Sequence, residues 1–186
     1  MTEFEKMVAG DLYNPDDEYL TQIRQRAHHL CTEYNHSYED TDKIRRAEIL
    51  KELLPNAGAE AFLPGPIYFD YGLNFYTGKN FFANFNFTVL DCAPVIIGNN
   101  VMIGTSVSLL TPVHDFDSKK RNTFLEFARP ISIGDNCWLA SNVTVIGGVK
   151  IGSGSVIGAG SVVTRDIPEN VFAAGSPCRV IREIVS

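Results

Sequence analysis

Residues Ile133 to Val163 read IGDNCWLASNVTVIGGVKIGSGSVIGAGSVV, and one spacing runs through the whole stretch. An aliphatic side chain returns every six positions, at Ile133, Leu139, Val145, Ile151, Ile157 and Val163. The next residue is often Gly or Ala, as at Gly134, Ala140, Gly152 and Gly158, and four places after each aliphatic stands a small or β-branched residue: Cys137, Val143, Val149, Ser155, Ser161 and Ile167. The register is already present upstream at Ile97, Ile103 and Leu109, with Gly98 and Gly104 behind them and Val101, Val107 and Val113 at the second position. In an α-helix a step of six residues turns the side chain by about 240°, which scatters such a series around the cylinder. A single long strand would keep the series on one face, but a glycine after each aliphatic weakens strands and marks bends. The chain must therefore turn once per hexapeptide. Three hexapeptides close one triangular coil, the aliphatics stack inside the prism, and successive coils pair as parallel strands about 4.8 Å apart. A sandwich or barrel would need alternation with turn signals every 8–12 residues or so, and that pattern is absent.

Outward from this block the period loosens. Thr77-Gly78, Ala83-Asn84 and Val89-Leu90 continue it, so residues 65–96 are expected to form the first coils, filled or capped by Phe75, Phe81, Phe85 and Phe87. Residues 1–58 show helical spacing instead, with one apolar stripe at Leu20, Ile23, Ala27 and Leu30 and a second at Ile44, Ala47, Leu50 and Leu54 before Pro55. Residues 115–129 are polar, carry no aliphatic register and are expected to bulge out as a loop, which is where solenoids place function. The expected organisation is a helical segment, 1–58, followed by a mainly β unit, 59–186: a parallel β-helix of hexapeptide repeats.

Composition narrows the function. With 45% hydrophobic and 20% charged residues in 186, the chain reads as one ordered globular unit. It has no apolar run long enough to span a bilayer and opens without the apolar core of a signal peptide, which predicts a cytoplasmic protein with no membrane partner. A net charge of −6 argues against nucleic acid as a partner. Cys31, Cys92, Cys137 and Cys178 lie far apart and read as buried thiols.

Three of the four histidines, His28, His29 and His36, fall in the helical segment. Only His114 lies in the repeat region, at the end of Leu109-Leu110-Thr111-Pro112-Val113-His114, where a rigid coil gives way to the polar loop. An imidazole held there and open to solvent suits a general base. One histidine per chain in the coils excludes the three-histidine zinc site that some hexapeptide-repeat proteins build across subunits, so no metal is expected. Arg165, Arg179 and Arg182 gather near the C-terminal end beside the small residues of Gly158-Ala159-Gly160-Ser161. They suit phosphate recognition, and they equally suit a solvated charged tail.

Three groups of residues carry a family resemblance. Glu5-Lys6-Met7-Val8-Ala9-Gly10-Asp11-Leu12-Tyr13 and Tyr34-Asn35-His36-Ser37 come first, then Asp70-Tyr71-Gly72 with Asn74 and Asn80-Phe81-Phe82-Ala83-Asn84-Phe85-Asn86. Gly158 to Pro168 and Ala174 to Arg182 complete the set. Together they resemble the maltose and galactoside O-acetyltransferases of the hexapeptide-repeat superfamily over nearly the whole chain. The resemblance implies left-handed coils, a homotrimer with active sites between subunits, and transfer of acetyl from acetyl-CoA to a hydroxyl of a small sugar. It makes His114 the general base and Asn84 the residue that stabilises the transition state. Asp70, Asn84, Asp91, Trp138 and one of Asp16 or Asp17 fall on acceptor positions. Ser141, Ala159, Thr164, Arg165, Arg179 and Arg182 fall on positions that bind coenzyme A. The chain departs from the family in having Asp115 after the histidine, Gly147-Gly148 before Val149, and Cys92 where some members have an acidic acceptor contact. Other readings on the same scaffold are transfer to a xenobiotic or amino-acid hydroxyl, and a non-catalytic subunit.

Overall fold

The aliphatics spaced by six, from Ile97 to Val163, all lose their side chains to one interior, joined there by Val101, Val107, Cys137, Val143 and Val149. In the computed structural model, which describes residues 1–185, that interior is the inside of a triangular parallel β-helix. Each coil visits three sheets in turn. The six-stranded sheet takes Phe82–Ala83, Met102–Ile103, Trp138–Leu139, Val156–Ile157, Val171–Ala174 and Arg179–Glu183. The five-stranded sheet takes Ile67–Phe69, Phe87–Leu90, Ser108–Leu110, Thr144–Ile146 and Val162–Val163, and the four-stranded sheet Phe75–Thr77, Val95–Ile97, Ile131–Ile133 and Lys150–Ile151.

Corner geometry explains the residues between strands. Asn80, Asn100 and Asn136 turn the chain with φ of 54°, 54° and 57°, a left-handed conformation that asparagine tolerates. Their amides form a ladder, Asn80 Nδ2 donating to Asn100 Oδ1 at 2.8 Å and Asn100 Nδ2 to Asn136 Oδ1 at 3.1 Å. Neighbours in this ladder are 20 and then 36 residues apart, whereas Asp135 and Ser153 on the next coil are separated by 18, the length of three hexapeptides. The long interval holds the excursion after Val113. Val113 consequently does not enter the prism as its register predicts; it is half-buried and pairs with Phe127 in a short antiparallel ladder of Pro112–Val113 with Phe127–Ala128. Between these strands the polar segment is not pure loop, since Ser118–Arg121 forms a helical turn capped by Asp117.

In the first coils the rings of Phe69, Phe75, Phe81 and Phe87 fill the interior, Phe75 pairing with Val95 and the centroids lying 5.1–6.1 Å apart. Phe85, expected among them, is exposed because it sits at the corner after Asn84. Three helices precede the coils: α1 (Glu3–Ala9), α2 (Glu18–His36) and α3 (Lys43–Leu53). Leu20, Ala27, Leu30, Cys31 and Tyr34 form the buried face of α2, close to the expected stripe. On α3 the expectation holds only toward its C-terminal end, where Leu50 packs against the core and Leu54 is buried. Ile44 is 80% exposed and the buried residues are Arg46, Ile49 and Leu53. The Arg46 guanidinium lies 3.8 Å over the Tyr34 ring and donates to the carbonyls of Tyr34, Ser37 and Pro64 at 3.0, 3.0 and 2.7 Å. Those carbonyls include the open C-terminal end of α2, so α3 rotates to satisfy them rather than to bury Ile44. Among the described residues, no helix is long and apolar enough to cross a membrane.

Candidate active site

Where coils leave the five-stranded sheet, polar residues interrupt the apolar register: Asp70, Asp91, Thr111 and Thr164. Asp91, an expected acceptor contact, is turned into the fold. It is fully buried, its carboxylate accepts from the backbone N–H of Tyr71 at 2.9 Å and of Asn74 at 3.1 Å, and its carbonyl accepts from Asn74 Nδ2 at 2.8 Å. Burial pushes its carboxyl up to about 6, against the opposing pull of N–H bonds from Tyr71, Gly72 and Asn74. The folded state thus holds this proton more tightly than the unfolded chain. The resulting stability is full below about pH 4 and lost as pH rises through about 6. Measured against Asp91→Asn by denaturant unfolding, the wild type should lose on the order of 2–3 kcal/mol between those limits, and a pH-independent difference would contradict the assignment.

His114 stands where the excursion departs, with its side chain 58% exposed. The returning strand brings Glu126 back to it, Oε2 lying 3.5 Å from His114 Nε2. The other oxygen of Glu126 accepts from the hydroxyl of buried Tyr13 at 2.7 Å. On the same side lies Cys92, its Sγ 3.7 Å from Asp70 Oδ2, and burial followed by the Asp70 charge pushes this thiol well above its ordinary range. Asp70 Oδ1 is 3.5 Å from His28 Nε2, which places His28 closer to the expected acceptor position than the sequence reading allows. Arg24 donates to Tyr71 Oη at 3.3 Å and to the Pro15 carbonyl at 3.1 Å, and it feels the charges of Asp70 and Asp16. Asp17, also expected at the acceptor, caps α2 through one oxygen, Oδ1 accepting from the N–H of Tyr19 and Leu20 at 3.1 and 3.2 Å. Asp16 is the acid on the Arg24 side. Asp115 turns to its own loop, accepting from the Asp117 N–H at 2.9 Å and lying 3.5 Å from Lys120 Nζ.

A different set of expected residues occupies the other long edge of the five-stranded sheet, where the chain enters from the six-stranded sheet. Asn84 Oδ1 accepts from Phe85 N–H at 2.8 Å, which leaves its NH₂ group to donate elsewhere. Thr105 Oγ1 bonds Ser141 Oγ at 3.0 Å, and Gly160 N–H donates to the Ser141 carbonyl at 2.9 Å beside exposed Ala159. Trp138 is half-exposed on the outer face of the six-stranded sheet, between Met102 and Val156. Arg179 and Arg182 lie on that sheet's last strand, opposite Ala174 and Phe172, both exposed and without an acidic ion-pair partner among the described residues. Thr164 and Arg165 are exposed on the His114 edge. One chain therefore presents His114 and Asn84 on opposite edges of a sheet. The crossing from Thr105 to Thr111 takes six residues, on the order of 15–20 Å at strand rise.

Comparison with known proteins identifies this arrangement. Residues 6–58 match the family described as "Maltose acetyltransferase hexapeptide capping motif", and residues 130–165 match "Bacterial transferase hexapeptide (six repeats)". The galactoside O-acetyltransferase of Escherichia coli is 44% identical over 180 residues, covering 97% of this chain and 88% of that protein. The crystal structure of a maltose O-acetyltransferase from Clostridium difficile 630 covers 100% of this chain and 99% of its own, with a TM-score of 0.95 at 41% identity. The chain belongs to the maltose and galactoside O-acetyltransferase family. A galactoside acetyltransferase solved in complex with coenzyme A is 44% identical, covering 100% of this chain and 92% of its own at a TM-score of 0.94. Membership in the maltose and galactoside O-acetyltransferases makes the chain an acyltransferase and accounts for the stacked hexapeptides. Glu126, Tyr13 and His28 are the residues near His114 and Asp70 that sequence reasoning missed. Glu126 is one acid in a polar loop and Tyr13 is 113 residues away from it, so no local pattern links them.

Proposed function

We propose that the protein transfers the acetyl group of acetyl-CoA to a hydroxyl of a small sugar of the maltose, glucose or galactoside type. It acts in the cytoplasm as a homotrimer whose active sites form between neighbouring copies. The observation that carries this reading is the separation of His114 from the edge bearing Asn84, Ser141 and Ala159, since neither edge alone holds both a base and a set of donors. A neighbour laid against the five-stranded sheet would bring the two edges together. The names of the relatives supply the sugar class, and the complex of one of them with coenzyme A supports the donor.

In this mechanism the neutral imidazole of His114 takes the proton of the acceptor hydroxyl as its oxygen attacks the thioester carbonyl. The oxyanion of the tetrahedral intermediate meets the Asn84 NH₂ group, whose direction is set by the Phe85 bond, together with backbone N–H groups near Ser141. Collapse breaks the C–S bond, and the imidazolium returns the proton to the leaving thiolate. The Glu126 carboxylate stabilises the imidazolium between these events. Direct attack fits the thiols, all four of which are buried, with Cys92 held protonated by its surroundings. Asp70 lines the acceptor side, and Thr164, Arg165, Arg179 and Arg182 meet the donor.

Thiol release from acetyl-CoA, followed across a panel of sugars, other alcohols and amino acids, tests the acceptor class. Turnover confined to non-sugar hydroxyls would overturn it. Light scattering should give about three times the 20.6 kDa chain mass, and a stable monomer would remove the shared site.

A further inference from the structure

Tyr13 lies in the segment between α1 and α2, and its connection to the excursion has more than one point of attachment. Its N–H donates to the Glu126 carbonyl at 3.0 Å and its carbonyl accepts from the Glu126 N–H at 3.2 Å, an isolated antiparallel bridge. Its hydroxyl donates to Glu126 Oε1 at 2.7 Å, while Oε2 faces His114 Nε2 at 3.5 Å. The first pair of bonds fixes where the Glu126 backbone sits, and the third fixes how its carboxylate is turned, a torsion that is otherwise broad. The ladder with Pro112–Val113 holds the next residues, Phe127 and Ala128, whereas the aromatics nearer the loop tip, Phe116 and Phe124, are fully and largely exposed. The phenol is a reliable donor. Its burial, then the neighbouring Cys92 and Glu126, raise its pKa far above the ordinary tyrosine range.

We propose that Tyr13 is a positioning residue for acetyl transfer, fixing through Glu126 the carboxylate that faces the His114 ring. The inference rests on the reading of His114 as general base. It gives the N-terminal segment a part in the chemistry beyond covering the first coils. When the ring takes up the acceptor's proton, the positive charge forms opposite an oxygen already in place, and no carboxylate has to rotate or shed water at that moment. Without the Tyr13 hydroxyl the carboxylate is free to turn toward solvent, and the stabilisation of the charged ring is reduced while substrate contacts remain.

The test compares Tyr13→Phe, Glu126→Gln, their combination and His114→Ala in the purified full-length enzyme, with acetyl-CoA and maltose, glucose or a β-galactoside as acceptor. Tyr13→Phe keeps the ring and both backbone bonds, so trimer mass and melting temperature should stay near wild type. Its kcat should fall about 5- to 30-fold with both KM values within about twofold, and the double variant should be little slower than Glu126→Gln alone. An unchanged kcat, a change confined to KM, or additive losses in the double variant would overturn the proposal. Should Tyr13→Phe fold poorly, Glu126→Gln alone must still lower kcat at unchanged KM, and a wild-type kcat there overturns it equally. His114→Ala separates the two levels. If it retains the wild-type rate, the reading of the base fails; if it loses the rate while Tyr13→Phe does not, only the positioning inference fails.

Discussion

Replacing His114 by alanine is expected to lower kcat by about 10²–10⁴ while leaving KM for donor and acceptor nearly unchanged. The size follows from what general-base catalysis contributes, and the split between constants follows from position. The side chain stands at the end of a rigid coil, more than half exposed, and its charged neighbour is Glu126 rather than any residue of the prism interior. Its removal should therefore leave trimer and fold intact. Steady-state kinetics on the purified variant checks this, with light scattering and thermal unfolding as controls. A rate near wild type would remove His114 from the mechanism. Asp115 is a poor substitute, because its carboxylate already accepts from Asp117 N–H and faces Lys120 within its own loop.

The second large effect concerns the donor. Arg179 and Arg182 are exposed cations on an otherwise acidic chain, set on the last strand of the six-stranded sheet close to the edge that carries Ser141 and Ala159. Each charge-assisted bond to a phosphate contributes roughly 1.5–3 kcal/mol, so Arg179→Ala and Arg182→Ala should each raise the donor KM by about 10- to 150-fold. The acceptor KM should hardly move, and the remaining donor affinity should depend less on salt. Isothermal titration with coenzyme A at two ionic strengths reads this directly. An unchanged affinity would return both arginines to the role of a solvated tail.

The coils were readable because a six-residue period has a single geometric solution, and the series Ile97, Ile103, Leu109 and Ile133 to Val163 obeys it. What escaped was set by polar bonds rather than by period. Ile44, Ala47, Leu50 and Leu54 have helical spacing, yet α3 turns Arg46 inward because the carbonyls of Tyr34, Ser37 and Pro64 need donors. Asp91 reads as a site acid, and only the fold shows its carboxylate closed off by Tyr71 and Asn74. Asp17 reads likewise, and the fold adds that one of its oxygens caps α2. His114 was visible as the one histidine of the coils, whereas Glu126 becomes its neighbour, and Tyr13 the neighbour of Glu126, only when the excursion returns against Pro112–Val113.

In the shared site proposed above, one copy supplies His114 and its neighbour supplies Asn84. It is tested most directly by mixing subunits of His114→Ala and Asn84→Ala, each nearly inactive alone, through co-refolding at equal amounts, with the mixed trimers verified by mass. A site between copies then has both groups intact in about a quarter of cases, because each independently has an even chance of coming from the right variant. The co-refolded mixture should recover roughly that fraction of wild-type activity. Mixed trimers as inactive as either parent would contradict it.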